Sequence, residues 1–172
     1  MRDVDAIIGR TIAREGGDKY TNIAADSGGG TRYGISDTRD GVKDGMTDTN
    51  GDGRPDTRVA DLTREQAVAI YKRDYYDAAK LDLVANDDVA AKVFDIAVNM
   101  GVRTAVKLLQ QSVGATPDGA MGPTTAALVN AEPPVKVINE LRRRQLLHYV
   151  EIVRHDPQQM EFFSGWINRA FA

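Results

Sequence analysis

The sequence predicts a mainly α-helical fold with one irregular stretch, roomy enough for a small β-hairpin, directly after the first helix. Apolar residues recur at helical spacing through most of the chain from position 63 onward, while Gly, Asp, Thr and Ser crowd positions 16 to 61. Helix start and stop residues punctuate the remainder, and no internal repeat or low-complexity linker interrupts it.

Residues 3 to 15 form the first expected helix, capped by Asp3, with Val4, Ile7, Ile8, Thr11 and Ile12 on one face and Gly16-Gly17 as the stop. The next helix starts at Thr63, whose hydroxyl pairs with Gln66 three residues later as a capping box, and runs to about Ala79. A third spans from near Asn86–Asp88 to Met100. Its segment VAAKVFDIAVNM is apolar nearly all round, which marks a helix in the middle of a core. Residues 102 to 113 give a short helix, Pro117-Asp118-Gly119 a turn, and Pro123 the first position of another helix. The prolines at 133 and 134 open a long helix to about Val153, and a last helix carries Met160, Phe162, Phe163, Trp166 and Phe171.

The chain has 172 residues, 42% of them hydrophobic and 27% charged, which is one globular domain's worth of core. A net charge of -3 argues against nucleic acid as a partner. Without cysteine, disulfides and thiolate chemistry are excluded, and two histidines cannot supply a three-His metal site. The N-terminal residues include Asp3 and Asp5 where a signal peptide needs an apolar run, and no window offers the roughly 20 apolar residues of a membrane span. The expectation is a monomer made in the cytoplasm that does not insert into a membrane.

Glu15 falls within about 20° of Val4 on a helical wheel, so it continues the apolar stripe and points inward at the end of the first helix. Exposed carbonyls there disfavour a carboxylate, the environment a general acid needs. The segment Asp26-Ser-Gly-Gly-Gly-Thr31-Arg-Tyr33-Gly-Ile-Ser36 adds a second carboxylate and a hydroxyl on a loop returning towards that helix. Glu15, Asp26 and Thr31 together suit glycoside hydrolysis, in which one acid protonates the leaving oxygen and a second group handles water or the developing cation.

These motifs, EGG after the first helix, DSGGGTRYGIS, AVAIYKRDYYDA, VFDIAVNMGVRTAVKLLQQSVGATPDGAMGPTTAAL and FFSGWINRA, resemble glycoside hydrolase family 108 over nearly the whole chain. That family comprises phage and prophage N-acetylmuramidases with a lysozyme-like fold. The resemblance implies Glu15 as catalytic acid, Asp26 and Thr31 as the groups that position or activate water, and no catalytic cofactor. It implies sugar contacts from Tyr33 and from Tyr75, the latter in a Tyr75-Tyr76 pair where the family often has Trp beside Tyr. It further implies residues 1–93 as catalytic region and 94–172 as a helical peptidoglycan-binding-like region packed into the same compact domain. Peptidoglycan is then the partner, with cleavage between N-acetylmuramic acid and N-acetylglucosamine. Access to the wall would come through a holin, as for a phage endolysin, or through a dedicated export route. The alternatives are a lytic transglycosylase, which also uses one Glu, and a non-catalytic peptidoglycan-binding module.

On the third helix Lys92, Asp95 and Asn99 form the single polar stripe, either a solvated face or the wall of a sugar-binding cleft with Asp95 and Asn99 as substrate contacts. Asp48, Asn50, Asp52 and Asp56 fall at positions 1, 3, 5 and 9 of an EF-hand-like loop, with Gly53 at the turn and the Arg54 carbonyl at position 7. Position 12 is Val59, so Asp61 or Asp44 would complete the shell of a structural calcium ion. Arg142, Arg143 and Arg144 read as a solvated face or an anchor for anionic wall polymers, and His148 and His155 as surface or packing residues.

Overall fold

The computed structural model describes residues 3–22, 29–39 and 41–171. They gather into two compact units, Met1–Asp74 and Tyr75–Ala172.

The first unit opens with α1, Val4–Arg14, whose N-terminus is closed by Asp3 accepting from the Ala6 N–H at 2.9 Å. Ile7, Ile8, Thr11 and Ile12 are buried as the stripe required, and they pack against α2, Arg64–Tyr71, which buries Ala67, Ile70 and Tyr71. The Thr63–Gln66 capping box is present in both directions, at 3.2 and 2.9 Å. Between these helices the chain forms more sheet than one hairpin. Strands β1 (Thr21–Asn22), β2 (Gly30–Arg32) and β3 (Ile35–Ser36) make an antiparallel sheet in that order, and β4 (Met46–Thr47) pairs with β5 (Thr57–Arg58). Strands of two or three residues leave no alternation to read, so only their turn residues were visible beforehand.

α2 stops at Tyr71, short of the expected Ala79, and the chain continues as a π-helical turn over Lys72–Asp77. Wider turns of this kind recur at functional sites. Arg73 explains part of it. Its guanidinium binds Asp74 at 2.5 and 3.0 Å and reaches back to the carbonyls of Thr49 at 3.1 Å and Asp48 at 3.4 Å. Arg39 closes on the other side of Asp74. Burial opposes the charged form of Asp74, but the hydrogen bond from Arg73 and the Arg39 charge outweigh it and hold the carboxyl below its usual value.

In the second unit α3, Asp87–Met100, packs against α4, Val102–Ser112, and α6, Pro134–His155. Asn86 caps α3 by accepting from the Asp88 and Val89 N–H groups. α5, Pro123–Ala131, begins at its proline as expected, and a 3-10 turn over Pro157–Phe162 leads into α7, Phe163–Phe171. Trp166 stacks on Tyr149 at 5.0 Å between ring centres, so the last helix is anchored on α6.

Gln110 on α4, 1% exposed, organises the connection to α5. Its amide nitrogen donates to Asp118, the Ala120 carbonyl and Thr125 at 2.7, 3.1 and 3.3 Å, and its oxygen accepts from the Gly119 N–H at 2.8 Å. Replacing Gln110 with Leu strands these groups, several of them sheltered from water. We expect a loss of about 2 to 3 kcal/mol in urea unfolding.

Candidate active site

The site is built on the end of α1. Glu15 is the C-cap residue, its N–H still bonded to the Thr11 carbonyl at 3.0 Å, and Gly17 then donates to the Ile12 carbonyl at 3.0 Å. That second bond is the long one of a Schellman ending, and it needs positive φ just after the helix. Gly16 and Gly17 supply it, at 109° and 61°. The glycines therefore turn the chain away and leave Glu15 half-buried, the position its place on the stripe demanded.

The turn joining β2 to β3 sits on this helix end. The Tyr33 N–H donates to the Gly17 carbonyl at 3.0 Å, and Tyr33 and Gly34 have φ of 55° and 76°. A side chain on Gly34 would come within 2.7 Å of the Glu15 Cβ and 2.5 Å of the Tyr71 hydroxyl. Only glycine permits this approach. The Tyr71 hydroxyl donates to the Tyr33 carbonyl at 3.0 Å, deep in the unit, with Tyr71 itself 2% exposed.

Thr31 lies half-buried on β2, opposite Thr21 on β1 and Ser36 on β3. Residues directly opposite share a face of a sheet, so three hydroxyls form a row across it. The sequence had singled out only Thr31. Asp26 lies outside the described residues. Asp37, which sequence reasoning missed, is 5% exposed and accepts from the Gly30 N–H at 3.2 Å, fixing the base of the same hairpin.

The structure also places the expected sugar contacts. Tyr33 is a turn residue, 8% exposed, with the Arg32 guanidinium over its ring at 5.4 Å from the centre. Tyr75 is half-buried at the start of the second unit. The polar stripe of α3 meets other elements of the second unit. Lys92 is buried with its ammonium on the Ala170 carbonyl at 2.7 Å, and buried Asp95 meets Arg169 at 3.6 Å. Asn99 accepts from the Tyr149 hydroxyl at 3.0 Å, although the residue is exposed overall. A cavity of about 300 Å³ in the second unit is lined by Val84, Asn86, Val89, Val129, Asn130 and Glu132, none of them a residue the sequence had selected.

In the acidic loop the carboxylates cap the backbone. Asp48 accepts from the Gly51 and Gly53 N–H groups at 2.6 and 2.9 Å, which holds its carboxyl below the usual range. Asn50 and Asp52 accept from the Asp52 and Arg54 N–H groups, both at 2.8 Å. Asp56 is lowered by the Thr49 hydroxyl and N–H, and Asp61 stands exposed beside Arg58 at 3.9 Å. Among the described residues no three acidic or histidine side chains converge to hold a metal ion. The arginine run is also engaged: Arg143 and Arg144 bond Glu140, drawing its carboxyl down to about 2, and Arg142 lies over the Phe171 ring.

Two family models match successive segments of this chain. Residues 8–101 match glycosyl hydrolase 108, and residues 104–171 match a predicted peptidoglycan domain. The chain belongs to the glycosyl hydrolase 108 family. Among solved structures, SagA of Brucella abortus is similar over 97% of this chain and 88% of its own, at 27% identity and a TM-score of 0.74. Comparison with curated proteins gives no match. This family 108 member is therefore a glycoside hydrolase of peptidoglycan with a mainly α, lysozyme-like fold. The hydrolase match extends through α3, whose packing partners α4 and α6 belong to the peptidoglycan-domain match. Among the described residues no helix is long and apolar enough to cross a membrane.

Proposed function

We propose that this chain is an N-acetylmuramidase that cleaves the β-1,4 bond between N-acetylmuramic acid and N-acetylglucosamine, with Glu15 as general acid. The observation that carries the reading is the fit of the Tyr33-Gly34 turn against Glu15, where a single added methyl group would collide. A proton donor must be held in one geometry, and backbone packed against its stem does that without adding a competing charge.

In this mechanism Glu15 protonates the bridging oxygen as the glycosidic bond breaks, and the muramic ring takes on oxocarbenium character. Thr31, in its row of hydroxyls, orients the water that attacks the sugar, and Asp26 serves as the second carboxylate. Incubation of purified sacculi with the wild-type chain tests the reading against a binding module. Soluble muropeptides are expected, whereas binding without release rejects it.

For the loop at 48–56 we propose calcium on ligand spacing alone, the carboxylates exchanging backbone N–H groups for the ion. Metal-stripped protein is then expected to melt several degrees higher in millimolar calcium and to give heat on titration. No heat and no shift reject the site.

A further inference from the structure

We infer that Tyr71 is a positioning residue for the general acid, acting through the turn at Tyr33-Gly34. The inference rests on Glu15 as the proton donor and names a second residue that this chemistry needs. Tyr71 is the last residue of α2, far in sequence from both Glu15 and the hairpin, and its hydroxyl is the point where the three meet.

The turn is unfavourable by itself. Tyr33 is held at a φ of 55°, a region that side chains other than glycine rarely occupy. Its conformation persists because its N–H and its carbonyl are both bonded, the N–H to Gly17 at 3.0 Å and the carbonyl to the Tyr71 hydroxyl at 3.0 Å. The first bond ties the turn to the segment just after Glu15. The second ties it to the rigid, buried end of α2, whose preceding residue Ile70 is 0% exposed. Gly34, next in the turn, then rests on the Glu15 Cβ and Cγ. Without the hydroxyl the Tyr33 carbonyl is buried and unmatched, so the turn relaxes towards an ordinary backbone conformation. Gly34 moves with it, and the Glu15 stem loses the surface that fixes its rotamer.

A residue of this kind changes the chemical step more than substrate binding, because the acid engages the glycosidic oxygen fully only in the transition state. The test compares Tyr71→Phe with Ile70→Val on a soluble peptidoglycan fragment, below the melting temperature of both, with the folded fraction checked by circular dichroism. Ile70→Val loosens the same helix end without touching the hydroxyl. Tyr71→Phe is expected to lower kcat about tenfold with KM changed less than about twofold, while Ile70→Val keeps kcat within about twofold of the wild type. Should Tyr71→Phe fail to fold, Tyr71→Met, which also lacks the hydroxyl while its flexible chain fills much of the ring's space, makes the same test. Wild-type kcat in the folded variant, or equal losses in Ile70→Val, overturns the role of Tyr71 and leaves the muramidase reading intact. An inactive wild type overturns both.

Discussion

Glu15→Gln is expected to slow release of muropeptides from sacculi by at least about a hundredfold, because a general acid accounts for two to four orders of magnitude. The amide keeps the shape of the carboxyl and removes only its transferable proton. Gly34 packs against the Cβ and Cγ of Glu15, which glutamine retains, so the turn at Tyr33 is undisturbed. The melting temperature should stay within about 3 °C of the wild type or rise, since a half-buried carboxylate at a helix C-terminus meets exposed carbonyls and the neutral amide does not. Loss of activity with loss of the fold would not support the assignment. Loss of activity in a protein that melts normally does.

Removal of α7 is expected to be the largest perturbation of stability. Lys92 is 7% exposed, and its ammonium rests on the carbonyls of Ala170 and Arg169 at 2.7 and 3.4 Å, at the end of the helix where the backbone dipole is negative. Asp95 meets Arg169 from the same helix, and Tyr149 loses its stacking partner Trp166. Deleting residues 163–172 removes these partners of Lys92 and Asp95 together with the Trp166 stack, a loss of about 3 to 5 kcal/mol. A second substitution separates the ammonium's share. In the full chain Lys92→Met should destabilise by about 1 to 3 kcal/mol, because the helix-end carbonyls lose their donor. In the truncated chain the same change should cost less than about 1 kcal/mol, because those carbonyls are already gone. Urea melts of the four proteins read the difference, and an equal cost in both backgrounds would show that the ammonium does not depend on α7.

What the sequence disclosed follows the range of the interactions involved. The Asp3 cap, the Thr63–Gln66 box, the Asn86 cap and the prolines that start α5 and α6 are set by neighbours within three or four residues, so they were readable in place. Glu15 was readable for the same reason, since a wheel and two glycines fix its position. The β1–β2–β3 sheet was not, because its strands are too short to show alternation and its pairing joins Thr21, Thr31 and Ser36 across turns. Tyr71 looked like any buried aromatic on α2, and its bond to Tyr33 spans 38 positions. Lys92, Asp95 and Asn99 had the correct spacing for one face, but what that face met lay far along the chain, α7 more than seventy residues away for Lys92 and Asp95 and Tyr149 on α6 for Asn99.

As the proposed N-acetylmuramidase, the protein hydrolyses the bridge on the reducing side of N-acetylmuramic acid. Digestion of sacculi by the wild-type chain, followed by borohydride reduction and mass spectrometry of the fragments, reads which bond is cut and how. Reduced muramic acid is expected at the new chain ends. An anhydro-muramic terminus, or reduced N-acetylglucosamine in its place, would contradict it.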